Sequence, residues 1–420
     1  MLQHSSIKIS PARAATHHIL LRIGRDQGHS DDLLHMPAMA KLSAADRNLA
    51  TTLVMGVLRW QMVLDAEIRR HLSRPAQRIA EEVMVALRLG VFQLRYLDRI
   101  PAHAALSESV ELCRANGQPQ ATGMVNAVLR KISREATHAS VDTQAALAAH
   151  PKWLVERWAK NYGEQAAEAI CLADQRSPAE ERASGFFVAA ETELPPMDDG
   201  SRLVAELAAT GLSSAVKILD CCAAPGGKTL ILALRNPQAR IVATDISGPR
   251  LQRMQQRLAQ IAAAGNVEYL QADAAQATEE HYDRILCDVP CSGTGTLAGN
   301  PEIRHHLKLE DITRQAERQS AILQAALKEL VPGGRVLYST CSLEPEENEQ
   351  VVEACLQGQD EFHCLPMVPL LDELAQRNVL LPEAAKDLQQ TAVHGAYLRT
   401  LPGVHPCDGF FAAMVEYRIS

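Results

Sequence analysis

From about Ser201 onward, short apolar runs alternate with amphipathic stretches, and no other feature constrains the fold as strongly. Val216–Leu219, Arg240–Thr244, Val267–Leu270, Arg284–Cys287 and Arg335–Ser339 have the length and β-branched content of strands, and Phe410–Tyr417 is a candidate last strand. Lys228–Leu234, Pro249–Ala263 and Asp311–Leu330 carry helical spacing between them, and Pro332-Gly333-Gly334 is a turn. Parallel strands need crossover helices, so the expectation is an α/β domain with a parallel sheet covered on both faces. Ligands of such sheets bind at the carboxyl ends of the strands.

The first part of the chain lacks this alternation. Leu53, Val54, Val57 and Leu58 share a helical face, as do Val83, Leu87, Val91 and Leu94, and Leu106, Val110, Val125 and Val128 continue the signal. Residues 1–145 are expected to form an all-helical bundle. Residues 146–200 are expected to hold one more helix, WLVERWAKNYGEQAAEAICLA, and a charge- and turn-rich linker with at most a short strand at Gly185–Ala190. Residues 201–420 form the α/β domain. Charge divides the same way. Residues 1–150 hold 18 Lys and Arg against 13 Asp and Glu, and the other 270 hold 24 against 37. The formal net charge of −8 therefore averages a basic part and an acidic part with different partners. The N-terminus has no secretory pattern, and no window approaches the length of a membrane helix. A cytoplasmic protein without membrane contact is expected, with most of its 10 cysteines as reduced core residues.

The first strand of the α/β part runs into Cys221-Cys222-Ala223-Ala224-Pro225-Gly226-Gly227-Lys228-Thr229. A glycine turn between strand and helix lets a ligand approach the backbone. A nucleoside-triphosphate loop would need glycine where Cys222 stands. Asp245 follows the second strand and Asp273 the third. Either acid alone reads as a helix cap. In this order, glycine turn, ribose acid and adenine acid describe an adenosyl cofactor without a pyrophosphate, and S-adenosylmethionine fits best.

The fourth strand ends in Cys287-Asp288-Val289-Pro290-Cys291-Ser292-Gly293-Thr294-Gly295, the fifth in Tyr338-Ser339-Thr340-Cys341-Ser342 before Leu343-Glu344-Pro345-Glu346-Glu347-Asn348. Cys291 and Cys341 should face one cavity. A zinc site lacks a companion pair of ligands, and a redox pair lacks the Cys-X-X-Cys spacing. The third reading is covalent catalysis on a pyrimidine. Cytosine C5 is too weak a nucleophile to attack a methyl sulfonium, but a thiolate added at C6 turns the ring into an enamine. Asp288 would hold the base through N3, and a base would then remove the C5 proton.

CCAAPGGKT, CDVPCSGTG, YSTCSLEPEENE and the closing LPGVHPCDGFF resemble the motifs of RNA cytosine-5 methyltransferases of the Sun (Fmu) class. RNLATTLVMGVLRW, LRLGVFQLRYLDRIPAHAALSESVELC and GMVNAVLRKISRE are similar to NusB-like RNA-binding domains. The resemblance covers nearly the whole chain and implies a NusB-like domain plus a Rossmann-like class I methyltransferase domain with a mixed, mostly parallel seven-stranded sheet. It implies Cys341 as nucleophile and Cys291 as an aid to product release. It implies S-adenosylmethionine held by Cys222, Ala223, Ala224, Pro225, Gly226, Gly227, Lys228, Asp245, Asp273 and Asp288, with no metal. The implied substrate is small-subunit (16S) ribosomal RNA, and the expected state is a monomer. The linker from Arg176 to Ser201 is shorter than the small subdomain that the family carries there. That departure motivates an alternative, an RNA-binding assembly protein with a vestigial catalytic part, and the intact cysteine and acid set opposes it. Transfer RNA is the other substrate considered. Arg59, Arg88, Arg95, Arg99, Arg130, Lys131 and Arg134 are candidate phosphate contacts. His305 and His306 read as surface histidines.

Overall fold

The computed structural model describes residues 9–135, 139, 141–176, 185–188, 194–212, 216–261 and 264–419. The described chain divides into two compact units. One runs as far as Arg176 and takes in Leu297–His306, and the other holds the remainder. No helix among the described residues is long and apolar enough to cross a membrane.

The first unit is helical: α1 (Pro11–Gly24), α2 (Ala44–His71), α3 (Glu81–Tyr96), α4 (Ala102–Ala115), α5 (Thr122–Arg134), α6 (Lys152–Tyr162) and α7 (Glu164–Ala173), with shorter turns between. The periodic residues of α2, α3 and α5 form its core, while Leu106 and Val110 pack half-buried against it. Helices α2 and α3 approach closely because Gly56 has no side chain: a Cβ there would lie 1.9 Å from the Phe92 ring. The single helix expected after Pro151 is two, because Gly163 takes φ +89°, where side-chain-bearing residues are disfavoured.

A segment that the strand pattern assigns to the α/β part, Leu297–His306, folds with this helical unit. The Glu302 carboxylate accepts the Ser30 N–H at 2.9 Å and its hydroxyl at 3.0 and 2.9 Å. Arg59 donates to the Ala298 carbonyl at 2.6 Å. The Arg304 guanidinium is buried. His305 is not a surface histidine: its Nε2 lies 2.7 Å from the Leu58 carbonyl, and burial pushes its pKa down to about 3. Two other RNA-contact candidates are engaged internally. Arg88 makes a bidentate pair with Asp65 at 2.6 and 2.7 Å, and Arg95 pairs with Glu67.

The second unit is built on β1 (Lys217–Asp220), β2 (Arg240–Asp245), β3 (Val267–Gln271), β4 (Tyr282–Asp288), β5 (Leu330–Thr340), β6 (Phe362–Cys364), β7 (Val393–His394), β8 (Tyr397–Arg399) and β9 (Phe411–Tyr417). The order is β3-β2-β1-β4-β5-β9-β8-β7, with β6 also on β9. Strands β1 to β5 pair in parallel, and β9 runs antiparallel to β5. Among the described residues the sheet thus has nine strands rather than seven. The extra pair, β7 and β8, is a hairpin of two- and three-residue strands, too short to show a period in the sequence. Phe187 makes one isolated bridge to Leu380 where a short strand was expected, and residues 189 and 190 of that expected strand lie outside the described residues. Helices α8 (Asp199–Ala208), α9 (Gly227–Arg235), α13 (Met367–Gln376) and α14 (Pro382–Thr391) pack one face of the sheet. Helices α11 (Leu309–Lys328) and α12 (Glu349–Leu356) cover the other, and α10 (Gly248–Leu258) packs near the glycine turn.

Gly56→Ala should destabilise the helical unit by about 1–3 kcal/mol through overpacking against Phe92. Gly123→Ala is the control, since a Cβ at that position on α5 meets nothing within 4 Å. It should be neutral or slightly stabilising. Urea unfolding of both variants reads the difference, and equal effects would refute the packing argument.

Candidate active site

The site lies where the parallel strands end. β1 stops at Asp220, and the chain then turns through Cys221–Gly226 into α9. Gly226, the residue before α9, has φ +97°, which only glycine adopts without strain. A cavity of about 160 Å³ opens beside this turn. Its walls are the whole stretch from Cys222 to Lys228, with Asp220, Asp288, Arg257 and residues 195–197. Asp245 and Asp273 do not line it. The Asp245 carboxylate accepts the Ala224 N–H at 3.2 Å and the Ser247 N–H at 2.8 Å, so it ties the glycine turn to the end of β2. Asp273 accepts the Ala275 N–H at 3.1 Å.

Asp288, the last residue of β4, accepts a hydrogen bond from the Ser339 hydroxyl at 2.9 Å and pairs with Lys228 Nζ at 2.7 Å. Burial works against the charge on Lys228, but the Asp288 carboxylate outweighs it and holds the ammonium above the usual lysine value. The two motif thiols meet past the strand ends, with Cys291 Sγ 3.3 Å from Cys341 Sγ and both cysteines half-buried. The Cys341 neighbour and burial together push the Cys291 thiol well above its ordinary value, so it is protonated at neutral pH. Close loop packing maintains the arrangement. The Gly295 N–H donates to the Cys341 carbonyl at 2.9 Å, and the Gly409 N–H donates to the Gly295 carbonyl at 2.8 Å. A Cβ on Gly295 would stand 2.3 Å from the Gly409 oxygen, so glycine is required for the closing DGFF segment to reach the thiol loops.

Cys221 belongs to the core, its sulfur 3.4 Å from that of buried Cys287. The sequence reading missed Asp220. It is buried at the cavity, accepts the Thr229 hydroxyl at 2.6 Å, and burial raises its pKa to about 7. The only sequence signal was its place at the end of the first strand, before the glycine turn.

A parallel sheet of this order, with a glycine turn after β1 and reactive groups past β4 and β5, defines a Rossmann-like methyltransferase. Residues 212–416 match the family described as 16S rRNA methyltransferase RsmB/F, and residues 10–134 match the NusB family. The chain is 33% identical to ribosomal RNA small subunit methyltransferase B of Xanthomonas campestris pv. campestris, over 93% of each chain. It is 34% identical to the protein of the same name from Escherichia coli O157:H7, over 79% of this chain and 87% of that one. The crystal structure of PH0851 shares the fold at a TM-score of 0.73 and 21% identity, covering 98% of this chain and 100% of the other. The chain belongs to the ribosomal RNA small subunit methyltransferase B family.

The pKa of Asp220 has a consequence for stability. Its folded value, about 7, exceeds the ordinary 3.8, so between these pH values the native state keeps a proton that the unfolded chain has lost. This group's contribution therefore makes stability fall as pH rises through that window. Asp220→Asn should flatten the fall, read as a smaller drop in urea midpoint between pH 4 and pH 7.5. An unchanged drop would refute the assignment.

Proposed function

We propose that this protein transfers a methyl group from S-adenosylmethionine to C5 of a cytosine in RNA, with small-subunit ribosomal RNA as the substrate. The names of its relatives support the RNA class. The observation that carries the chemistry is the 3.3 Å approach of Cys291 and Cys341, with Cys341 close enough to act on the charge of Lys228, a wall residue of the cavity at the glycine turn.

The residues present suit the cofactor. The cavity wall from Cys222 to Lys228 is the segment freed by a left-handed glycine, so a ligand there meets main chain. Asp245 and Asp273, after β2 and β3, are proposed for the ribose hydroxyls and the adenine amino group. When bound, S-adenosylmethionine supplies an electrophilic methyl group. Cys341 supplies the nucleophile: its thiolate forms a bond to C6, and the electron pair displaced from the C5–C6 double bond makes C5 nucleophilic. Cytosine N3 carries no proton, so as charge develops there Asp288 would relay a proton to it from the Lys228 ammonium with which it pairs, and would take that proton back when the ring is restored. Cys291 stays protonated beside Cys341, which suits a group that acts in the later release and not in the attack. A general base then takes the C5 proton, the C–H electron pair restores the C5–C6 double bond, and the sulfur–C6 bond breaks to release Cys341 as its thiolate. The target base must leave its stack to reach this pocket. The helical unit would bind RNA, and the enzyme would act as a monomer in the cytoplasm.

Cys341→Ala should abolish methylation of cytosine while S-adenosylmethionine affinity, measured by calorimetry, stays within about twofold; retained methylation would end this reading. Cys291→Ala should accumulate a covalent RNA–protein adduct on denaturing gels, and a variant that turns over without adduct would remove the release role. Asp245→Ala should weaken cofactor binding roughly tenfold or more, the scale of a lost charged hydrogen bond. Bisulfite sequencing of ribosomal and transfer RNA from a deletion strain identifies the substrate.

A further inference from the structure

Each of the two motif cysteines is followed by a serine, and both serines bind the same carboxylate. Glu347 sits in a short turn at Pro345–Glu347 and is fully buried. Its carboxylate accepts the Ser292 N–H at 2.8 Å and the Ser292 hydroxyl. It also accepts the Ser342 hydroxyl at 2.5 Å, and the two serine oxygens lie 3.0 Å apart. Gln319, from α11, donates to the same carboxylate at 3.0 Å and to the carbonyl of Pro290, the residue before Cys291, at 2.9 Å. The Tyr338 hydroxyl donates to the Glu347 carbonyl, which ties the turn to β5.

We infer that Glu347 is a positioning residue that sets the spacing of the two thiols by bracing the loop after each through Ser292 and Ser342. The inference rests on the proposed thiol chemistry and deepens it. Neither thiol loop is held at its tip by sheet pairing, because Cys291 and Cys341 both lie beyond the strand ends. A carboxylate is suited to the brace: it can accept several donors at once, and a neutral side chain of the same length cannot accept them all. Burial raises the Glu347 pKa, while the donors oppose that rise by favouring the charged form. The carboxylate is fully buried and lines no part of the cofactor cavity. It acts through the serines, so its loss should change the reaction and leave cofactor binding alone.

The test uses the full chain with Glu347→Ala and Glu347→Gln. Glu347→Ala should lower kcat by ten- to a hundredfold, on the order expected for a 1 Å misplacement. KM for RNA and calorimetric affinity for S-adenosylmethionine should change less than about twofold. Glu347→Gln keeps the shape and should recover part of kcat. A second readout needs no RNA: the pH midpoint for alkylation of Cys291, followed by peptide mass. Cys291 faces Cys341 and Glu347, and Tyr338 lies close enough to feel its charge. Loss of the Glu347 charge lowers this midpoint in both variants, so the brace is read as the further fall in Glu347→Ala over Glu347→Gln as the sulfurs separate. If Glu347→Ala does not fold, Ser292→Ala and Ser342→Ala carry the test. Each should lower kcat severalfold, and their combination should lose less than the product of the two, as for residues acting as one unit. A folded Glu347→Ala with unaltered kcat and a Cys291 midpoint equal to that of Glu347→Gln would overturn the inference, as would serine losses that multiply. If the unaltered enzyme methylates no RNA, the proposed function fails, whereas the alkylation midpoints still decide the brace.

Discussion

The parallel pairing of β4 with β5 is the contact on which the site depends. Ile285 pairs with Val336, Leu286 with Leu337, Cys287 with Tyr338 and Asp288 with Ser339. This register puts the Ser339 hydroxyl on the Asp288 carboxylate and lets the two following loops bring their thiols together. Register is enforced from both sides of the sheet. Leu286 and Leu337 belong to the core on one face, Cys287 and Tyr338 to the core on the other. A slip by one residue would exchange the faces and shift the thiols by about 3.3 Å along the strand. Apolar packing far from the chemistry thus decides whether two sulfurs can meet.

The same burial sorts the charges of the site. Removing an acid or thiol from water favours its neutral form, and a nearby opposite charge restores the ionised one. Asp220, with Thr229 as its close partner, is pushed up to about 7. Cys291, facing another thiol, is kept protonated. Lys228 stays charged because Asp288 faces it. One ion pair, one neutral thiol and one half-neutral acid therefore stand at or just past the ends of β1 and β4, each fixed by its neighbours. Perturbed groups gathered at strand ends are what a reaction site requires and what a purely structural core avoids.

Much of this was legible because a topology rule converts sequence into place. Cys291 and Cys341 are 50 residues apart in the chain, yet each follows a strand of a parallel sheet, and neighbouring strands bring their ends together. The unread parts lacked such a rule. The pattern Glu344-Pro345-Glu346-Glu347 does not say which acids turn inward: Glu344 and Glu347 are both buried, and the short turn brings the Glu347 carboxylate to Ser292 and Ser342. Gly163 falls inside the stretch that the sequence reads as one helix, and its positive φ shows that the helix ends there. Leu297–His306 carries no hydrophobic period, and its attachment to the helical unit rests on Glu302, Arg304 and His305 meeting groups some 130 to 270 residues away.

Charge counting illustrates the difference between composition and surface. The excess of Lys and Arg in residues 1–150 suggests a cationic partner surface. Part of that charge is neutralised inside the helical unit: Arg13 pairs with Glu108, Arg25 with Glu81 and Glu82, Arg88 with Asp65 and Arg95 with Glu67. Such pairs order the bundle and offer little to a phosphate. Arg99, Arg130, Lys131 and Arg134 are different, because all four are exposed and the last three fall within five residues of α5. A polyanion draws its affinity from charges it can reach and whose counterions it can release. Among the candidate phosphate contacts the reachable charge therefore narrows to the end of α5 and to Arg99, three residues before α4, and the net charge of the whole chain says nothing against an RNA substrate.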